Sequence, residues 1–353
     1  MYKKLIVMAL TSLMLAACAS ETEQTDVAKE ETSESTKDTV KTEEDQNEVE
    51  ETGYRYPLSG VQSKDPSEMR SFAVMINNHP NARPQSGLTK ADIVYELLAE
   101  GSVTRFLAIF QSESFEKVGP VRSARDYFIQ LADGYDSIYI AHGYSPEARK
   151  MLNSGFIDHL NGMEYDGILF KRSSDRVAPH NSYISYENIM KGAENLSYDL
   201  KSPPDELTFL SKSDTEKIEG EAATSVKVSY YNKPSFTIVY EYDEALGKYT
   251  RTSGGVQTAE HETQEPVLLD NILIVETEHT IIDDAGRREI DLTSGGDAYL
   301  LQKGKLQKVQ WVDDNGRILP YVNNQPVGLV KGKTWINVIP SDGGFSEFVT
   351  ITE

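Results

Sequence analysis

Residues 19–52 hold 13 acids, 3 lysines and no aromatic residue, for a net charge of −10. A stretch of that composition cannot bury enough apolar surface to offset the entropy lost on ordering, and its own charge extends it. It reads as a disordered acidic tether. Any folded core must come from the residues that follow, 53 to 353, a length that usually divides into two domains.

Ahead of the tether, Lys3 and Lys4 precede an apolar run from Leu5 to Ala17. The run has the length of a signal-peptide core, and a comfortable membrane-spanning helix needs about 20 apolar residues. It ends in Leu15-Ala16-Ala17-Cys18, which resembles the lipobox of bacterial lipoproteins, with small residues before the cut and a thiol to carry the lipid after it. Cys18 is the only cysteine, so the mature chain has no disulfide framework and no other thiol. Residues 1–17 are therefore expected to be a signal peptide, and 18–52 a tether lipidated on Cys18, with a palmitate-type acyl anchor. The expected location is the outer, extracytoplasmic face of the cell membrane, with membrane lipid as the first partner.

The whole chain carries −21, and setting aside the leader and the tether leaves −13 on residues 53–353. That balance argues against nucleic-acid binding, which needs a basic footprint. Lys201-Ser202-Pro203-Pro204-Asp205 opens a breaker-rich stretch that continues to Thr224. It suggests a mixed α/β or α+β domain over 53–205 and a mostly β domain over 225–353.

In the first part, Phe72–Ile76, Ile93–Leu98 and Arg105–Phe110 read as buried strands, the last two forming a hairpin across Gly101-Ser102. Pro120 is expected to open a helix to about Asp133, since proline suits the first helical turn. A strand at Ser137–Ala141, a helix capped by Ser145 and a helix from Ser185 to Glu194 follow. In the second part, Val226–Tyr230, Thr237–Tyr242, Lys248–Arg251, Asn271–Val275, Tyr299–Leu301, Leu306–Trp311 and Trp335–Pro340 read as strands, with turns at Lys303-Gly304 and Asn315-Gly316. A curved sheet or small barrel is expected there, with Trp311 and Trp335 in its core or lining a groove.

Chemistry-bearing residues concentrate in two runs. Gly119-Pro120-Val121-Arg122-Ser123-Ala124-Arg125-Asp126 lies where a loop enters a helix, and free N–H groups beside Arg122, Ser123 and Arg125 would suit an anion. Lys171 to Tyr183 holds Arg172, Arg176, His180 and Asn181 in one polar loop, a basic island in an acidic chain. Taken singly, each run reads better as a solvated face, the arginines of the first pairing with nearby acids and the second serving as a charged surface loop; only if the two meet in space does a site become an equal reading. His142 follows a strand directly, where α/β sites often sit, although a lone histidine is more often structural.

Several familiar sites fail on spacing. Gly143–Glu147 lacks the second glycine of a nucleophile elbow. Ser114-Phe115-Glu116-Lys117 has no partner motifs. Gly328–Thr334 sets its glycines one residue too close for a phosphate loop and leads into a strand. No His-x-x-x-His pair points to zinc, and no metal or cofactor is expected. Asp283-Asp284 and Asp313-Asp314 read as turn residues.

Taken together, Met75-Ile76-Asn77-Asn78, Arg83-Pro84-Gln85-Ser86-Gly87-Leu88, Ala91–Glu96, Gly119–Arg125, Pro179-His180-Asn181 and Gly332–Ile336 resemble the YerB-like lipoprotein family, across 54–353. The resemblance implies a two-part domain of unknown function in envelope lipoproteins and assigns no catalytic residue. The expected role is binding or scaffolding in the cell envelope. Its ligand would be an anionic wall polymer or a wall-synthesis protein, met by Arg122, Ser123, Arg125, Arg172, Arg176, His180 and Asn181. The alternative is an envelope hydrolase or transferase acting on a phosphorylated or glycan substrate, with His142 or His180 as acid or base.

Overall fold

The computed structural model describes residues 53–352, so the leader, Cys18 and the tether lie outside the described residues. Strands apolar on both faces must be covered on both faces. Three such strands open the fold: Phe72–Asn77 (β1), Ile93–Glu100 (β2) and Val103–Phe110 (β3). Along β1, Phe72, Val74 and Ile76 enter one core while Ala73 and Met75 enter the opposite one. β2 and β3 form the expected hairpin, and Gly101 takes the left-handed conformation its turn requires (φ 57°).

The helix expected from Pro120 begins later, as Asp126–Asp133 (α1). Residues 118–121 are extended instead. Val118 pairs with Ile184, Gly119 with Ser86 and Val121 with Ile76, so sheet-edge bonding overrides the proline signal. Ile138–Ala141 (β4), Pro146–Asn153 (α2, capped by Ser145), His159–Asn161 (β5), Phe170–Arg172 (β6), Ser182–Ile184 (β7) and Tyr186–Asn195 (α3, capped by Ser185) follow.

The later half is mostly strand: Ser225–Ser229 (β8), Thr237–Asp243 (β9), Lys248–Ser253 (β10), Asn271–Thr277 (β11), Gly296–Gln302 (β12), Lys305–Asp314 (β13), Arg317–Val322 (β14), Thr334–Pro340 (β15) and Val349–Thr352 (β16). No barrel forms among the described residues, because these strands divide between two sheets. β8, β9, β10 and β16 build a separate five-stranded sheet with the short strand Val256–Gln257. The others join the first half in one twelve-stranded sheet, whose order runs β14-β13-β12-β11-β15-β2-β3-β1-β4-β5, with the short strand Gln325–Pro326 beyond β14 and Glu221–Ala222 pairing with β13. The seam is parallel: β15 pairs with β2 from Thr334↔Ile93 to Asn337↔Glu96.

The five-stranded sheet and α3 cover one face of the large sheet, and α1 and α2 cover the other. Trp311 and Trp335 are both buried, in opposite cores. Leu207, in the breaker-rich stretch, packs into the α1 side and donates its N–H to the Pro57 carbonyl.

One charge sits at the junction. The Glu96 carboxylate is fully buried and accepts from Arg251 (2.7 Å), Thr104 (2.9 Å), Asn78 (3.2 Å), Trp335 (3.2 Å) and Asn337 (3.2 Å). Arg251 belongs to β10, so this network fastens the smaller sheet to the larger one. Among the described residues, no helix is long and apolar enough to cross a membrane.

Candidate functional site

β1 and β4 run parallel, so their C-terminal ends open on the same edge of the large sheet, where ligand sites of α/β folds gather. The chain leaves β1 through Asn77-Asn78-His79 and leaves β4 through His142. Arg122 lies between these exits: its N–H donates to the Met75 carbonyl, and its carbonyl accepts from the His142 N–H, both at 2.9 Å.

Asn77 sets two histidine rings. Its side-chain carbonyl accepts the His79 backbone N–H at 2.9 Å, which fixes the amide orientation. Its amide nitrogen therefore donates to His180 Nδ1 at 2.8 Å. His79 Nδ1 accepts from Asn81 N–H at 3.2 Å. Both rings thus carry their proton on Nε2, and they stack with centroids 4.8 Å apart. Burial is the first cause holding both below the usual histidine range. For His79 the charges of Arg83 and Arg122 add to it, and for His180 those of His79, Arg122 and Arg176. At neutral pH the pair therefore offers N–H donors and no free ring lone pair.

Arg122 is the exposed end of this set in chemical terms. Its guanidinium is half-buried and has no ion pair or side-chain hydrogen bond among the described residues. Burial, then the neighbouring Arg105, pushes it down to about 10. Its charge reaches His79, His142 and His180. The Arg122 cation is thus half-buried without a counter-ion among the described residues, and its charge is felt by both stacked rings.

The other residues singled out from sequence take distinct places. Arg172 and Asn181 join this edge, but Arg172 is neutralised by Asp166 (2.8 Å) and also donates to Asn181 Oδ1 (3.2 Å) and His142 Nε2 (2.9 Å). His142 Nδ1 then donates to Ser182 Oγ at 2.7 Å, so neither nitrogen is free to take a proton. Burial, then Arg172, lowers its pKa. Ser123 donates to the His142 carbonyl at 3.2 Å. Arg176 donates to the Ala82 and Pro84 carbonyls and contacts His261 Nδ1 at 3.2 Å, stapling the 173–181 loop to the 80–84 turn. Arg125 is not brought in, since its guanidinium pairs with Glu100. Asn77 and His79 were not singled out as site residues, although a polar Asn-Asn-His-Pro run closing a buried strand marks a strand-end site.

Comparison with known proteins agrees with this architecture. Residues 58–199 match the family described as "Protein of unknown function (DUF3048) N-terminal domain", and 226–336 match its C-terminal domain. The chain is 49% identical over 286 residues to a Bacillus subtilis (strain 168) protein named "Putative lipoprotein YerB", covering 80% of this chain and 86% of that protein. The crystal structure of YerB protein from Bacillus subtilis superposes with a TM-score of 0.78 at 47% identity, covering 85% of this chain and 99% of that one. The chain thus belongs to the YerB-like family of lipoproteins, defined by paired DUF3048 domains.

Proposed function

We propose that this chain is an extracytoplasmic binding lipoprotein, anchored through Cys18, that holds an anionic group of the cell envelope between Arg122 and the His79/His180 pair. The carrying observation is the half-buried Arg122 guanidinium left without a counter-ion, its charge felt by two rings whose Nδ1 bonds leave the proton on Nε2. Permanent charge and ring N–H groups suit a phosphate or carboxylate oxygen. A binding role fits better than acid–base catalysis, because the ring lone pairs of His79, His142 and His180 are already used. The acyl anchor and acidic tether would keep the site close to the wall.

Residues 52–353 form a compact unit of their own, so a soluble fragment can be tested. It would be pelleted with purified cell-wall sacculi, with and without their covalently attached anionic polymers. Pelleting that needs those polymers and is lost in Arg122→Ala, with folding intact, is the expected result. Failure to pellet, or pelleting that Arg122→Ala leaves untouched, removes the wall-polymer reading.

A further inference from the structure

A second cleft opens where the 78–85 loop faces the smaller sheet, with a volume of about 220 Å³. Pro80, Pro84 and Val256 give it apolar walls, and Arg83, Arg251 and Ser253 give it polar ones. No carboxylate lines it. Arg251 is matched by Glu96, and that carboxylate is fully buried and already accepts five donors. Arg83 has no acidic partner among the described residues. Its Nε and Nη2 donate to Asn78 and its Nη1 to the Ser235 carbonyl, leaving one N–H on each terminal nitrogen unspent.

The region therefore holds two cations against one anion. Burial, then the charge of Arg251, pushes Arg83 down to about 10. On two of the lining residues, Ser253 Oγ and Arg251 Nε are buried and make no hydrogen bond. Ser253 is only 4% exposed, so bulk water does not satisfy it. Buried polar groups left unpaired cost stability unless something meets them.

We propose that this cleft is a binding site for a small carboxylate with an apolar body, its carboxylate facing Arg83 and Ser253 and its body lying against Pro80, Pro84 and Val256. The cleft's volume suits a small molecule, and its lining residues do not include Arg122, His79 or His180. It does not depend on the Arg122 reading, although Arg83 also bears electrostatically on His79.

The test uses the full chain in a neutral detergent, titrated with benzoate and 3-methylbutanoate and, in parallel, with benzamide and 3-methylbutanamide. Isothermal titration gives the affinities, and tryptophan fluorescence reports the site, because Arg251 lies 4.4 Å over the Trp335 ring. Saturable binding of at least one acid, about tenfold or more tighter than of its amide, is expected from a charge-assisted contact. Arg83→Gln should lose that preference. Because Arg83 also ties the loop together, Val256→Trp serves as the second variant. Val256 is 65% exposed, so the larger ring blocks the cleft without loading the core. Acid binding lost in Val256→Trp, with a circular dichroism spectrum and urea unfolding midpoint matching wild type, supports the site. No saturable binding of either acid, equal affinity for acid and amide, or acid binding undiminished in Val256→Trp overturns it, whatever the outcome at Arg122.

Discussion

Arg122 and Glu96 are opposite answers to the same problem, a charge taken partly or wholly out of water. Glu96 is compensated by Arg251 and by neutral donors, so removing its charge should be expensive. Glu96→Gln is expected to destabilise the fold by about 3–5 kcal/mol, because it strands a buried guanidinium. Replacing both, as Glu96→Leu with Arg251→Met, should cost clearly less than the sum of the single changes, as read by urea unfolding. Arg122 has no such partner, so its loss should not harm the fold. Arg122→Met is expected to leave the unfolding free energy unchanged or raise it, by about 1 kcal/mol or less. A large loss of stability there would mean the side chain is structural. At this scale the residues are visible in sequence as two separate runs, Arg122 in 119–126 and Arg172, His180 and Asn181 in the basic island of 171–183, and only the fold brings the runs to one sheet edge. Arg125 stood out equally, but its pairing with Glu100 depends on a strand more than twenty residues away. A glutamate inside the apolar run Ile93–Leu98 was the visible trace of the buried network.

Among elements, the 258–266 loop is latched onto the 86–90 loop by two carboxyl groups. Glu260 accepts the Gly87 N–H at 2.9 Å and the Thr89 hydroxyl at 3.1 Å, and Glu262 accepts from Ser86 (3.0 Å) and Lys117 (2.6 Å). Burial, then the hydrogen bond with Glu262, pushes Glu260 up to about 7. Between the unfolded value near 4.5 and about 7, the folded chain keeps a proton that the unfolded chain has lost, so this group's contribution to stability falls as pH rises through that window. The histidines held below their usual range act in the opposite sense, losing stability as pH falls below the unfolded value of 6.5. The difference between wild type and Glu260→Gln isolates the latch. Melting temperatures should show the variant gaining on wild type from pH 4.5 to 7, and a pH-independent difference would contradict the assignment. Helix caps at Ser145 and Ser185 and the hairpin turns were readable because their signals are local. The start of α1 was not, because its upstream residues are recruited by Ser86, Ile76 and Ile184, all distant in sequence.

At the scale of the whole molecule, composition divides the chain near residue 205, and the sheet runs through that division. β15 lies between β11 and β2 and is parallel to both, and its pairing with β2 joins residues more than two hundred apart, which no local pattern encodes. The two family segments should therefore unfold together. Calorimetry of the 52–353 unit is expected to give one transition, and the fragments 53–205 and 225–353 expressed alone should lack dispersed NMR spectra, since each bares a sheet edge and an apolar face. Two separated transitions would show that the seam contributes little. The claim on which the functional account rests is narrower: an anion sits on Arg122 beside His79 and His180. Isothermal titration of tripolyphosphate into wild type and Arg122→Met, at neutral pH and two salt concentrations, tests it most directly. The account predicts saturable, salt-sensitive binding to wild type, weakened about tenfold or more in the variant. Equal affinity in the two proteins, or no binding to wild type, would contradict it.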